Sequence, residues 1–95
     1  MSIKDSIFRV LTLNRVVNKD PDLKRIISIV EDLAIDDTIY QVADLSPADL
    51  IRWFDENVTH TKSLSDLANF VHLVSICRRR LQEDGWLSSN EINFN

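Results

Sequence analysis

The sequence predicts an all-α fold, a compact bundle of about five helices with a long, largely buried fifth helix. Apolar residues recur three and four positions apart along most of the chain, the spacing that places side chains on one face of a helix. Five segments begin with residue types that cap helix N-termini, and proline follows two of these caps. Only one glycine and two prolines occur among 95 residues, too few backbone breakers for a sheet-rich or disordered chain.

The first two helices are predicted from a cap and an apolar stripe each. Ser2 is placed to cap the first helix. Its stripe comprises Ile3, Ile7, Val10, Leu11 and Val17. Asp20 is placed to cap the second helix, with Pro21 at the first helical position, where a missing N–H costs nothing. The second stripe is the cleanest in the chain and comprises Leu23, Ile26, Ile27, Val30, Leu33 and Ala34.

The remaining three helices follow the same kind of signal. Asp36 and Asp37 interrupt the second stripe and are expected to cap a short third helix. That helix would hold Ile39, Tyr40, Val42 and Ala43. Ser46 with Pro47 predicts the start of a fourth helix that ends near Asn57. It would present Leu50, Ile51, Trp53, Phe54 and Val58. Ser63 and Asp66 are spaced as a capping box for the fifth helix, and Gly85 is its expected stop residue.

The fifth helix is expected to lie at the centre of the fold. Residues 67–77 are apolar on nearly every side, apart from a narrow stripe of Asn69, His72 and Ser75. A helix that is apolar all round is typical of a core or an interface. Residues 1–87 are predicted to form a single helical domain, with Trp86 and Leu87 folding back over the helix end and residues 88–95 as a C-terminal tail.

Catalytic and metal-binding chemistry is not expected, so we predict a protein that is not an enzyme and needs no cofactor. Cys77 is the only cysteine, and His72 lies five residues before it, about 140° round a helix, so the two do not share a face. His60 is the only other histidine, too few soft ligands for a metal site. Because Gly85 is the only glycine, the sequence has no glycine-rich phosphate loop.

The expected location is the cytoplasm of a bacterium or of a phage-infected cell. The N-terminus has no uninterrupted apolar core like that of a signal peptide, and no apolar run approaches the ~20 residues that span a bilayer. A lone cysteine excludes an internal disulfide, on which small secreted domains usually depend. The bacterial or phage assignment follows from the small size, the charge and the absence of linkers.

The net charge of −4 is unevenly distributed along the chain. Residues 1–28 hold six Lys or Arg against three Asp, a net charge of +3. Residues 29–60 hold eight carboxylates against Arg52 alone, a net charge of −7. Residues 61–95 are balanced, with four charges of each sign. The acidic middle third is the strongest charge signal and favours a basic partner.

Binding of a protein partner is therefore the preferred functional prediction. Carboxylates steer a partner electrostatically, and aromatic side chains supply anchors. The predicted partner-binding residues are Asp36, Asp37, Asp44, Asp49, Trp53, Asp55, Glu56 and Trp86. We expect a regulatory or adaptor protein, of which an inhibitor of a basic partner is one form. The apolar fifth helix also favours a homodimer.

The alternative is a small DNA-binding transcriptional regulator. Residues 67–73 are similar to the first helix of a helix-turn-helix, with a turn near residues 72–74 and a second helix carrying Arg78, Arg79 and Arg80. Leu73 and Val74 are poor turn residues, and the acidic chain lacks the basic footprint typical of phosphate contact. Nucleic acid is therefore the less favoured partner.

Overall fold

A computed structural model describes residues 3–58 and 63–87, and these two ranges fold into five helices. The helices are α1 (Ile3–Val17), α2 (Pro21–Ile35), α3 (Ile39–Val42), α4 (Pro47–Asn57) and α5 (Leu64–Glu83). No strand occurs in these two ranges, and the predicted all-α bundle is confirmed. The predicted cap at Ser2, the tail of residues 88–95 and His60 lie outside the described residues.

Three of the predicted helix starts are confirmed by hydrogen bonds from backbone N–H groups to the predicted capping side chains. The Asp20 carboxylate accepts a hydrogen bond from the backbone N–H of Asp22 at 3.0 Å. The Ser46 hydroxyl accepts from the backbone of Asp49 at 3.3 Å. At the start of α5, the Ser63 hydroxyl accepts from the backbone of Asp66 at 3.1 Å, and the Asp66 carboxylate accepts from the backbone of Ser63 at 3.3 Å. The last pair is a complete capping box.

The predicted cap of α3 is wrong, because Asp36 and Asp37 terminate α2 instead. Asp36 is the C-cap of α2, and Asp37 has a φ of 64°, the left-handed conformation typical of the residue after a helix. The backbone N–H of Asp37 returns to the carbonyl of Ala34 at 3.2 Å. α3 begins after Thr38, whose side chain makes no capping hydrogen bond. An aspartate tolerates the left-handed region better than most residues, so the same residue type serves either end of a helix.

The core is built around α5, which packs against each of the other four helices. It contributes Phe70, Leu73, Val74, Cys77 and Leu81, all buried. All six residues of the predicted α2 stripe are also buried. In α1 the prediction is wrong at one end, because Ile3, Ile7 and Leu11 are buried but Val17 is exposed. Val17 is the last residue of α1 and is 81% exposed.

The apolar circumference of α5 is covered by the chain itself. Residues on its flanks, including Leu67, Val71 and Ile76, pack against the core and are partly buried. Its solvent side is formed by Ala68, His72, Ser75 and Arg79. The apolar sides of α5 beyond its first turn are therefore largely covered within the chain, and they do not by themselves require the predicted homodimer.

Charged side chains link the helices at the edge of the core. Arg25 of α2 pairs with Asp66 of α5, with 2.7 Å between the guanidinium nitrogen and Oδ2. Arg15 of α1 binds both carboxylate oxygens of Glu31 in α2, the two-pronged geometry in which arginine binds carboxylates most strongly. These pairs fix the positions of α1 and α5 relative to α2.

The end of α5 is closed by a Schellman motif, as the glycine predicts. Gly85 has a φ of 82°, and its N–H donates to the carbonyl of Gln82 at 3.1 Å. The N–H of Trp86 donates to the carbonyl of Leu81 at 2.8 Å. Leu87 then packs against the core, so the predicted fold-back of the chain is confirmed.

Candidate functional site

An open groove lies between α4 and the first turns of α5. It has a volume of about 440 Å³. Its apolar lining residues are Ala48, Ile51, Phe54, Leu64 and Leu67. Its polar lining residues are Arg52, Asp55 and Ser63. The volume lies in the range of binding pockets, and the mainly apolar lining with a few polar groups is typical of them.

Helix geometry explains why this groove has an apolar rim. Leu50 and Phe54 of α4 lie one turn apart and are buried in the core. Ile51 follows Leu50 by one residue, about 100° round the helix, and therefore lies at the side of the core contact, 45% exposed. Leu64 is the first residue of α5 and is 85% exposed. The two side chains leave apolar surface in water on both helices.

The charges on α4 are mainly negative. Arg52 pairs with Asp49, with 3.4 Å between the guanidinium nitrogen and Oδ1. Asp55 and Glu56 lie in the last turns, and α4 has no basic residue in its last turn. The C-terminal end of a helix carries a partial negative charge, so carboxylates there are electrostatically unfavourable. The C-terminal half of α4 therefore presents negative charge beside the groove.

The other predicted acidic residues lie around α3, away from the residues that line the groove. Asp36 and Asp37 end α2, and Asp44 follows α3; all three are exposed. Asp37 forms an ion pair with Lys4, with 2.7 Å between Nζ and Oδ1. Of the eight predicted partner-binding residues, the groove lining includes only Asp55. The acidic third of the sequence thus covers two surfaces.

The two tryptophans differ in exposure. Trp53 is half-buried, and its ring stacks on Phe70 of α5 with centroids 5.7 Å apart and planes 4° from parallel. Trp86 is 60% exposed, and its ring centroid lies 5.4 Å from that of Tyr40 in α3. Trp53 therefore contributes to the packing of α4 on α5, whereas Trp86 presents most of its ring to solvent.

The three consecutive arginines have different environments. Arg78 is half-buried, and its guanidinium donates to the backbone carbonyls of Ala43 and Leu45, which follow α3. Arg79 is exposed and Arg80 is half-exposed. Arg78 therefore holds the α3–α4 connection against α5, a structural contact that a nucleic acid would have to displace.

The helix-turn-helix interpretation is wrong, because α5 is one continuous helix over Leu64–Glu83. Leu73 and Val74, at the expected turn, are buried in the core. The described residues thus provide no separate recognition helix after residue 74.

Two titratable side chains, Cys77 and Asp66, are buried in the described part of the chain, and their surroundings shift the pKa of each. Cys77 is buried, and burial raises the pKa of its thiol to about 12, so the thiol is protonated at neutral pH. Asp66 is 2% exposed, and its hydrogen bond with Arg25 holds the pKa of its carboxyl below the usual value. No buried side-chain polar atom in the described ranges lacks a hydrogen-bond partner. Nor do residues 3–58 and 63–87 contain a cluster of three metal-ligating side chains.

Apart from Asp55, the groove residues are not among the predicted partner-binding residues. The sequence pattern predicts Ile51 as part of the apolar face of α4, and Leu64 lies between the predicted capping-box residues Ser63 and Asp66. The positions of these two residues in the sequence are the signal that could have identified them. Ile51 lies outside the stripe through Leu50 and Phe54, and an apolar residue directly after the Ser63 cap is not required for capping.

None of the helices in the described parts of the chain has the length and apolar character needed to cross a membrane. Comparisons with protein-family models, curated proteins and solved structures found no match to this chain.

Proposed function

We propose that this chain is a non-enzymatic regulatory or adaptor protein that binds a protein partner in the α4–α5 groove. The supporting observation is that the apolar lining continues outward into Ile51 and Leu64, which are 45% and 85% exposed. A small molecule inside the groove would cover only those parts of Ile51 and Leu64 that line it. A protein surface covers the groove and its rim together, and burial of their apolar area favours the complex.

The dimensions of the groove suit anchoring side chains. Its volume is about 440 Å³. A cavity of roughly 150 Å³ holds a benzene-sized group, so the groove has room for two or three large apolar side chains. A few such anchors contribute most of the binding energy in protein interfaces.

The exposed face of Trp86 belongs to a second surface around α3, together with Asp36, Asp37 and Asp44. A role for that surface in partner binding stays a prediction. The homodimer stays a prediction as well. The groove is the primary site of the proposal, because it combines concave shape with exposed apolar surface.

Site-specific photo-crosslinking in the cells that naturally produce the protein tests the proposal. A photoreactive residue at Ile51 should form an adduct with one protein, and so should one at Leu64. The matched control is Ile35, which is also an exposed isoleucine near the end of a helix but does not line the groove. A probe at Ile35 should not form that adduct.

Equal adducts from all three positions, or none from the groove positions, would contradict the proposal. Duplex DNA provides a second decisive measurement. Retention on DNA that falls steeply with salt and is lost in Arg79→Ala/Arg80→Ala would instead support a nucleic-acid-binding protein. Arg79 and Arg80 are suitable for this test, because only Arg78 holds the α3–α4 connection.

A further inference from the structure

The last turns of α4 carry two exposed carboxylates. Asp55 and Glu56 lie near the helix end that already carries partial negative charge, and no basic residue of α4 lies in that turn. Arg52, the only cation on α4, pairs with Asp49 one turn nearer the helix start. α4 as a whole therefore has a net charge of −2, from three carboxylates and one arginine.

The negative end of α4 adjoins the apolar part of the groove. Asp55 lines the groove together with Ile51, which lies one helical turn before it, and Phe54. A ligand segment seated on the apolar residues therefore brings its next turn close to the C-terminal end of α4. A positively charged side chain there gains attraction to two carboxylates and to the helix end.

The walls of the groove favour a helical ligand over an extended one. Strand addition, one way in which an extended peptide binds, needs the edge of a sheet, and residues 3–58 and 63–87 contain no strand. Both walls are helices, and a third helix packs its side-chain ridges into the groove between two others. Helix-in-groove binding uses apolar anchors about three and four residues apart.

We infer that the α4–α5 groove binds a basic amphipathic helix of the partner. Its apolar face contacts Ile51, Leu64 and Leu67, and its lysine or arginine side chains lie beside Asp55 and Glu56. This inference rests on the proposed function, and it adds the conformation and the charge of the bound segment.

Selection from a random peptide library tests the charge and the pattern without assuming a sequence. The library displays peptides of about 15 residues, enough for four helical turns. It is selected on the wild-type chain and counter-selected on Ile51→Asp, a change at a half-exposed position that circular dichroism should show to be folded. We expect the retained peptides to be rich in lysine and arginine, with large apolar residues three and four positions apart.

The charge contribution is measured on the best retained peptide. Asp55→Asn/Glu56→Gln should weaken its binding by about three- to tenfold, the effect of losing two exposed charge interactions. Asp32→Asn/Asp44→Asn is the matched control, because it changes net charge equally at exposed positions that do not line the groove. The control should bind within about twofold of wild type, since distant exposed charges are screened by salt.

The outcomes separate the inference from the proposed function. Retained peptides that are neutral or acidic, or equal weakening in both double variants, would overturn the basic helix but leave a protein-binding groove. A library that yields no peptide dependent on Ile51 would overturn the inference, and the proposed function would fail with it if the Ile51 cross-link were also absent.

Discussion

Replacing Arg78 by alanine should destabilise the fold by removing the link between α5 and the α3–α4 connection. Its guanidinium donates to the carbonyl oxygens of Ala43 and Leu45. A hydrogen bond to a charged group contributes about 1.5–3 kcal/mol, and water can reach this half-buried position after truncation, so we expect a total loss of about 2–4 kcal/mol. For a domain of this size that corresponds to a fall in Tm on the order of 10–20 °C.

The assay is thermal and urea unfolding followed by far-ultraviolet circular dichroism. Arg79→Ala is the control, because it removes the same side chain from an exposed neighbouring position of α5. It should change the free energy of unfolding by less than about 0.5 kcal/mol. Arg78→Lys should lie between the two, because an ammonium group lacks the planar fork that reaches two carbonyls. Arg78→Ala and Arg79→Ala of equal stability would refute the structural role of Arg78.

Three further predictions concern the core. Val74→Asp should unfold the chain, because it places an unpaired charge in the core. Ser75→Asp, at the adjacent exposed position, should still fold. Similar melting curves for the two variants would contradict a central α5. The Arg25 hydrogen bond lowers the pKa of Asp66, so its stabilising effect is present above the ordinary pKa of 3.8 and is lost as the pH falls through the lower folded-state value. Asp66→Asn should be less stable at neutral pH and should show a weaker acid dependence, and parallel stability curves from neutral to acidic pH would exclude this role. Burial raises the pKa of Cys77 to about 12, so a thiol reagent should modify it only after denaturation, as mass spectrometry would show; rapid labelling of the native chain would be inconsistent with that burial.

Local chemistry made most of the fold predictable from sequence. Asp20, Ser46 and Ser63 cap their helices through contacts within three residues, so the pattern and the structure report the same interaction. Gly85 is predictable for the same reason, because a left-handed residue at a helix end favours glycine. Asp37 was misassigned because its side-chain type suits a cap, whereas its backbone conformation is set by the end of α2.

The candidate site depended on contacts between distant parts of the chain. Ile51 and Leu64 are apolar residues in helices, and nothing local distinguishes them from core residues. Their exposure follows from how α4 packs on α5, which the helical period alone does not determine. Sequence alone predicts Arg78 as a nucleic-acid contact. Its partners in the fold are backbone carbonyls more than 30 residues away, and the sequence pattern does not reveal them. Backbone acceptors of this kind leave no trace in side-chain pattern.

The position of α5 has a consequence for synthesis on the ribosome. α1 and α2 pack against each other, so this hairpin has local contacts to form as soon as both helices have emerged. α4 packs chiefly against α5, which is translated after it. Before α5 is made, Phe54 and Leu50 lack the side chains of α5 against which they pack. They therefore stay accessible to chaperones or proteases. Completion of the core that the described residues form therefore requires α5 to be translated.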